Sequence, residues 1–281
     1  MPTRPGPTVQ RRRLGIELRR LREAAGKTID EVAHVLECSD SKVSRIENGQ
    51  VSATPRDVRD MLDLYEVDRE RRDGLVQFAR AARKKGWWEA YGDTLVVPLI
   101  GLETAADQIQ AYEAMVVHGL LQTRDYAAEI IQALRPDLSS KQSKRWVELR
   151  MNRQDLLHQE SPPRLEVVLE ECVLRRPVGG PSVMRAQLQH LIEATTLPTL
   201  TLHILPLRVG QHAAVSGAFT IYRFTEPADP DVVYLEHTTS DLYLESPEQV
   251  RRYGTAFEQV RSRALSPEAS AAYLTTLTGE V

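Results

Sequence analysis

The 281-residue sequence predicts an α+β chain in two parts, an all-α head of five helices followed by a larger mixed α+β domain. Three observations predict this. Up to about residue 86 the apolar residues recur at helical spacing, and most stretches open on a capping residue. From Arg164 onward, alternating β-branched runs bounded by Gly, Pro and Asp take over. The charge divides as well. Residues 1–86 hold 19 Lys or Arg against 14 Asp or Glu, and the remainder 17 against 25, so a +5 head precedes a −8 body within a formal net charge of −3. The expected domains are therefore 9–86 and 87–281, both long enough to bury a core.

In chain order, Met1–Thr8 is Pro-rich, contains Gly6 and reads as a disordered arm. Arg11, Arg12 and Arg13 follow, either reaching toward an anionic partner or forming a solvated first helical turn. Leu14, Leu18 and Leu21 give the first helix its buried stripe, and Gly26 ends it. Thr28 with Glu31 is a capping box for a second helix with Ile29, Val32, Ala33 and Leu36 on its apolar side. After a short turn, Ser39 caps a third helix with Val43 and Ile46 inward. On its outward face lie Ser41, Ser44, Arg45 and Asn48, with Asp40 and Lys42 beside its N-terminal end. Pro55 starts a fourth helix carrying Val58, Met61, Leu62 and Tyr65. Asp68 caps a fifth, with Leu75, Phe78, Ala79 and Ala82 on one side. Arg83, Lys84 and Lys85 close it and Gly86 breaks it. Trp87 and Trp88 at that junction read either as packing between domains or as a stacking platform.

In the body, Pro98 opens a region expected to be helical as far as about Gln159, with a turn at Arg135 and Pro136. RLEVVLEE from Arg164 reads as a strand, and Pro181–Thr195 returns to helix. LTLHILP, GAFTIYRF, DVVYLEH and DLYLE supply further strands before helices at about Pro247–Ala264 and Pro267–Leu277. Gly179 and Gly180 ahead of Pro181 read as a left-handed turn into a helix, or as free amides for an anion. The most pocket-like segment is the loop Val209–Phe219, with His212 and Ser216 available to a ligand.

A short helix with two apolar residues and a face of small polar groups plus one arginine makes a poor core element. It suits base edges in a DNA major groove. Here the sequence resembles the XRE and Cro-type helix-turn-helix domain, through LGIELRRLREAAGKT, EVAHVL and SKVSRIENG. The resemblance implies base reading by Asp40, Ser41, Ser44 and Arg45, a backbone contact by Lys42, and a bracing pair between Arg22 and Glu47. Asn48 shares the same face and is counted with the DNA-binding set. Two departures stand out: Ile29 where such families usually have glutamine, and Glu37 where they often have glycine. The former removes one phosphate contact.

The order of WWEAYGD, IQAYE, GLLQTRDYA, LRMNRQDLL, LRRPVGG, GAFTIYRF, VVYLEH and ALSPEAS from Trp87 onward is also familiar. It resembles a domain of unknown function fused behind XRE-type heads in actinobacterial regulators of the WhiJ type, sometimes described as toxin-antitoxin-like. The resemblance implies double-stranded DNA as a partner and a small BldB-like protein as a second. One head of this kind reads only a few base pairs, so a homodimer on an inverted repeat is expected.

No GxSxG, Walker, HExxH or GxGxxG motif occurs, and the seven histidines show no metal-ligand spacing. Glu170 with Glu171, and Glu236 with His237, read as solvated strand ends rather than acid-base pairs. Cys38 and Cys172 are far apart and in no CxxC. The expectation is a non-enzyme with no cofactor and no metal. With neither a signal-like apolar start nor a membrane-length run, a cytoplasmic protein without membrane contact is expected.

Overall fold

The computed structural model describes residues 7–82, 97–226, 229–238 and 240–280. The chain divides into two compact units, Met1–Ala105 and Ala106–Val281. The junction expected at Gly86, Trp87 and Trp88 lies outside the described residues, as do Met1–Gly6 of the expected arm. Pro7 and Thr8 are not part of an arm: they already belong to the first helix.

The first unit contains α1 (Pro7–Ala24), α2 (Ile29–Val35), α3 (Asp40–Glu47), α4 (Pro55–Leu64), α5 (Arg69–Ala82) and α6 (Val97–Ala105). Their starts are chemically explicit. Thr28 and Thr54 close full capping boxes with Glu31 and Asp57, Ser39 Oγ accepts from the Lys42 N–H, and Asp68 accepts from the Arg71 N–H. Their ends share one device. In each of the first four helices the last carbonyls are satisfied by two reversed bonds around a left-handed residue, Gly26, Glu37, Gly49 and Glu66, with φ of 66°, 48°, 67° and 55°. Leu18, Val32, Val43, Ile46, Val58, Met61 and Leu62 form a single core, each burying apolar surface worth about 1.5–3 kcal/mol.

The second unit is built on a six-stranded mixed sheet: β1 (Gln108–Glu113), β2 (Arg164–Glu170), β3 (Leu200–Leu205), β4 (Phe219–Arg223), β5 (Val232–Glu236) and β6 (Asp241–Leu244). The order is β3-β2-β1-β4-β5-β6, with β1, β2 and β3 parallel and β4, β5 and β6 joined antiparallel. Helices α7 (Arg124–Leu134), α8 (Ser140–Gln154), α9 (Glu171–Arg175), α10 (Pro181–Ala194), α11 (Pro247–Arg263) and α12 (Pro267–Glu280) complete it. Val250, Phe257 and Val260 of α11 pack on Tyr112, Val168, Phe219, Ile221 and Val233, closing one face of the sheet. Ile109, Ala111, Leu165, Val167, Leu202 and Ile204 point to the other face and are fully buried.

Strand β1 corrects the sequence reading, which carried a helix through QIQAYE. Because both faces of β1 are buried, its residues lack the polar-apolar alternation of a half-exposed strand. Ala111, Gln108, Gln110 and Glu113 also favour helices. Gln110, buried in mid-sheet, is accommodated by hydrogen bonds: its Nε2 donates to Glu166 at 3.0 Å and its Oε1 accepts from Arg223 Nε at 2.7 Å.

Candidate nucleic-acid interface

Helix α3 is held from behind and left open in front. Behind it, Val43 and Ile46 are buried, and Glu47 receives two hydrogen bonds from Arg22 of α1, at 2.7 and 3.0 Å. This bidentate pair, which keeps the Arg22 guanidinium more firmly protonated, is the brace that the resemblance implied. Arg22 Nη1 also donates to the Lys27 carbonyl at 3.0 Å. Backbones touch here too: a Cβ on Gly15 of α1 would collide with the carbonyl oxygen of Glu47, and one on Gly49 would lie 2.7 Å from Arg12 Cα. These approaches fix the tilt of α3 against α1.

In front, Asp40, Ser41, Arg45 and Asn48 are exposed and Ser44 is half-buried. Arg45 Nε donates to the Ser41 carbonyl at 3.1 Å, which lays its stem along the helix, and Asn48 Nδ2 donates to Ser44 Oγ at 3.4 Å. Five of the six sequence-chosen residues therefore belong to one short helix whose exposed side is polar, and the sixth, Asn48, is its C-cap. Lys42 differs from the rest: its ammonium lies 3.6 Å from Asp57, the capping-box residue of α4.

The flanking arginines divide. Arg12 is buried against Gly49, and Arg13 lies over the Phe78 ring at 5.6 Å, so both have a packing role within the unit. Ile29, in the usual place of a glutamine, packs against the core. Glu37, in the usual place of a glycine, occupies the left-handed position that explains the glycine.

The second cluster chosen from sequence lies in the other unit. His212 is folded inward, its Nδ1 accepting from the Ala214 N–H at 3.3 Å and its Nε2 lying 2.9 Å from Glu170 Oε1. With Nδ1 an acceptor, Nε2 carries the proton and donates to Glu170. Tyr112 donates to the same oxygen at 2.7 Å, and burial raises its phenol pKa. Ser216 is exposed and shares no hydrogen bond with His212 among the described residues. Glu170 corrects the reading of a solvated strand end: it is a buried anchor at the carboxyl end of β2. Glu171, half-buried, is also engaged, by Arg175, Tyr273 and the Leu207 N–H. Only the contact across loop and sheet reveals Glu170, and no local signal in the sequence carries it.

Two short helices joined by a tight turn, the second braced and polar outward, define a helix-turn-helix protein of the DNA-binding regulator class. A family model described as a helix-turn-helix domain matches residues 13–75. A second, described as a domain of unknown function (DUF5753), matches residues 96–276, and the chain belongs to that family. No curated protein and no solved structure matches it. Among the described residues, no helix is long and apolar enough to cross a membrane.

Proposed function

We propose that the chain is a sequence-specific transcriptional regulator, an XRE-type head on a WhiJ-type second domain. The head reads operator DNA, and the second domain dimerises and receives a partner or signal. The observation that carries this reading is the exposed polar side of α3, held in a fixed orientation by Arg22, Glu47 and Gly15. In it, Arg45 reads a guanine, Ser41, Ser44, Asp40 and Asn48 contact neighbouring bases or the sugar-phosphate edge, and Lys42 steadies the backbone. The working division keeps the head at 9–86 and the second domain at 87–281. A homodimer on an inverted repeat follows, since one such head reads too few base pairs for useful affinity.

The test is operator binding by Arg45→Ala and Lys42→Ala on specific and random DNA. Arg45→Ala should lower discrimination at one base pair per half-site by about 1–3 kcal/mol. Equal losses on both DNAs in both variants would remove α3 from the groove.

A second reading, an antitoxin-like protein that holds a small BldB-like partner, is favoured by one observation. Met115, Leu207 and Val215, three exposed large apolar side chains, all belong to loops at the carboxyl end of the parallel strands. Co-purification with the product of a neighbouring gene, abolished by Leu207→Asp and Val215→Asp together, would support it. Unchanged recovery would reject it.

A further inference from the structure

We propose that the cleft between α11 and the β4–β6 side of the sheet binds a small organic anion, a carboxylate or phosphate monoester on an apolar body. The cleft encloses about 640 Å³, within the range of small-molecule sites.

Its chemistry begins with Arg223, at the end of β4. The guanidinium is fixed on two sides: Nε donates to Gln110 at 2.7 Å and Nη1 donates to Asp231 at 3.0 Å. Gln110 is itself held by Glu166. The remaining nitrogen, Nη2, has no hydrogen-bond partner among the described residues, and about a third of the side chain is exposed. A rigid guanidinium with one unspent edge is a pre-organised anion donor.

Gly254 shows that this edge is kept clear. It stands in the interior of α11, where glycine costs about 1 kcal/mol relative to alanine. A Cβ there would lie 3.2 Å from Arg223 Nη2, so glycine leaves the guanidinium its room. One turn earlier on α11, Arg251 also lines the cleft, exposed and with its guanidinium making no hydrogen bond or ion pair among the described residues.

The carboxylates of the lining are already engaged. Asp231 accepts from Arg223 and from the Phe224 N–H, and Glu258 accepts from Arg261. Glu245 is likewise not without a partner. Asp231 is paired with Arg223 itself and Glu258 with Arg261, which leaves Arg223 Nη2 and the Arg251 guanidinium as the spare donors of the lining, and Pro230, Pro247 and Val250 offer an apolar wall. The lining thus offers donors to an anion and a wall to an apolar body.

Titration calorimetry of the full chain with benzoate, phenyl phosphate, inorganic phosphate and benzyl alcohol tests the assignment. At least one aromatic anion should bind, with inorganic phosphate and benzyl alcohol weaker by about tenfold or more. Which of benzoate and phenyl phosphate binds more tightly separates the carboxylate from the phosphate. Arg251→Glu, at an exposed side chain, should abolish binding, and Gly254→Ala should weaken it while leaving the fold intact. No binding of either aromatic anion at millimolar concentration overturns the proposal, as does binding unaffected by Arg251→Glu. Equal affinity for inorganic and phenyl phosphate overturns the apolar half of it. An effector role for the anion rests on the reading of the second domain as a receiver. Anion binding that leaves operator affinity unchanged would sink that reading and leave the site standing.

Discussion

Separating Arg22 from Glu47 gives the sharpest measure of how α3 is held. The Glu47 side chain is only 3% exposed and both of its hydrogen bonds come from Arg22, whereas Arg22 is 11% exposed, also donates to the Lys27 carbonyl and lies 3.8 Å from Glu23. Breaking a buried pair costs about 3–5 kcal/mol because the survivor is left charged and dry. The two single variants should therefore differ. Arg22→Met strands Glu47 with no donor and should fall at the upper end of that range. Glu47→Ala leaves Arg22 a carbonyl and some solvent, and should fall at the lower end. The double variant Arg22→Met with Glu47→Leu removes both charges and should return to within about 1 kcal/mol of the parent. The assay is urea unfolding of the full chain followed by far-ultraviolet circular dichroism, with hydrogen exchange locating the loss in α1 and α3. Losses below 1 kcal/mol in both singles, or a double variant no better than the worse single, would show that Val43, Ile46 and Gly15 hold α3 without the ion pair.

Other outcomes follow from the same geometry. Glu37→Gly and Glu66→Gly should each stabilise the first unit by about 0.5–1 kcal/mol, relief of left-handed strain outweighing the extra unfolded-state entropy, read as a higher urea midpoint. Lys42→Ala should weaken binding to all DNA alike and reduce the salt slope by less than the roughly 0.9 of a free phosphate contact, since the Asp57 pair already offsets its charge. Burial and the nearby Glu236 push the Glu113 carboxyl up to about 8 despite Arg150. The unfolded chain loses that proton near pH 4.5 while the folded chain keeps it, so this group's contribution to stability falls as pH rises from about 4.5 to 8. Glu113→Gln should flatten that fall, measured by thermal unfolding across the window.

The head was legible in the sequence because its determinants are local. Thr28, Glu31, Ser39, Pro55 and Asp68 act within one helical turn, and the stripes Leu14, Leu18, Leu21 and Val43, Ile46 declare their buried side by spacing alone. The antiparallel strands were legible for the same reason, each being short, β-branched and bounded by turn residues. The central strand was not, because burial on both faces erases the alternation that marks a strand. The clusters that matter most in the second unit were also hidden. Arg223 acquires its role only when β1, β4 and β5 are side by side, and Glu170 only when the loop holding His212 folds onto β2. Gln110 and Arg223 are 113 residues apart, and nothing in the spacing announces such partners.

The position of β1 also dictates an order of assembly during synthesis. Its first partner in the chain, β2, begins with Arg164, and its other, β4, ends with Arg223, so Gln108 waits more than a hundred residues for its second neighbour. At ribosomal speeds of about 5–20 residues per second, that is a delay of roughly 5–20 s in which one edge of the future sheet centre is unpaired. The helices of the first unit are complete before β1 appears, while the β4, β5 and β6 meander can form within a few tens of residues once it emerges. Nascent chains arrested between β2 and β4 should therefore carry a protease-resistant head and a protease-sensitive remainder, with resistance spreading to the second unit only after β4 has been made.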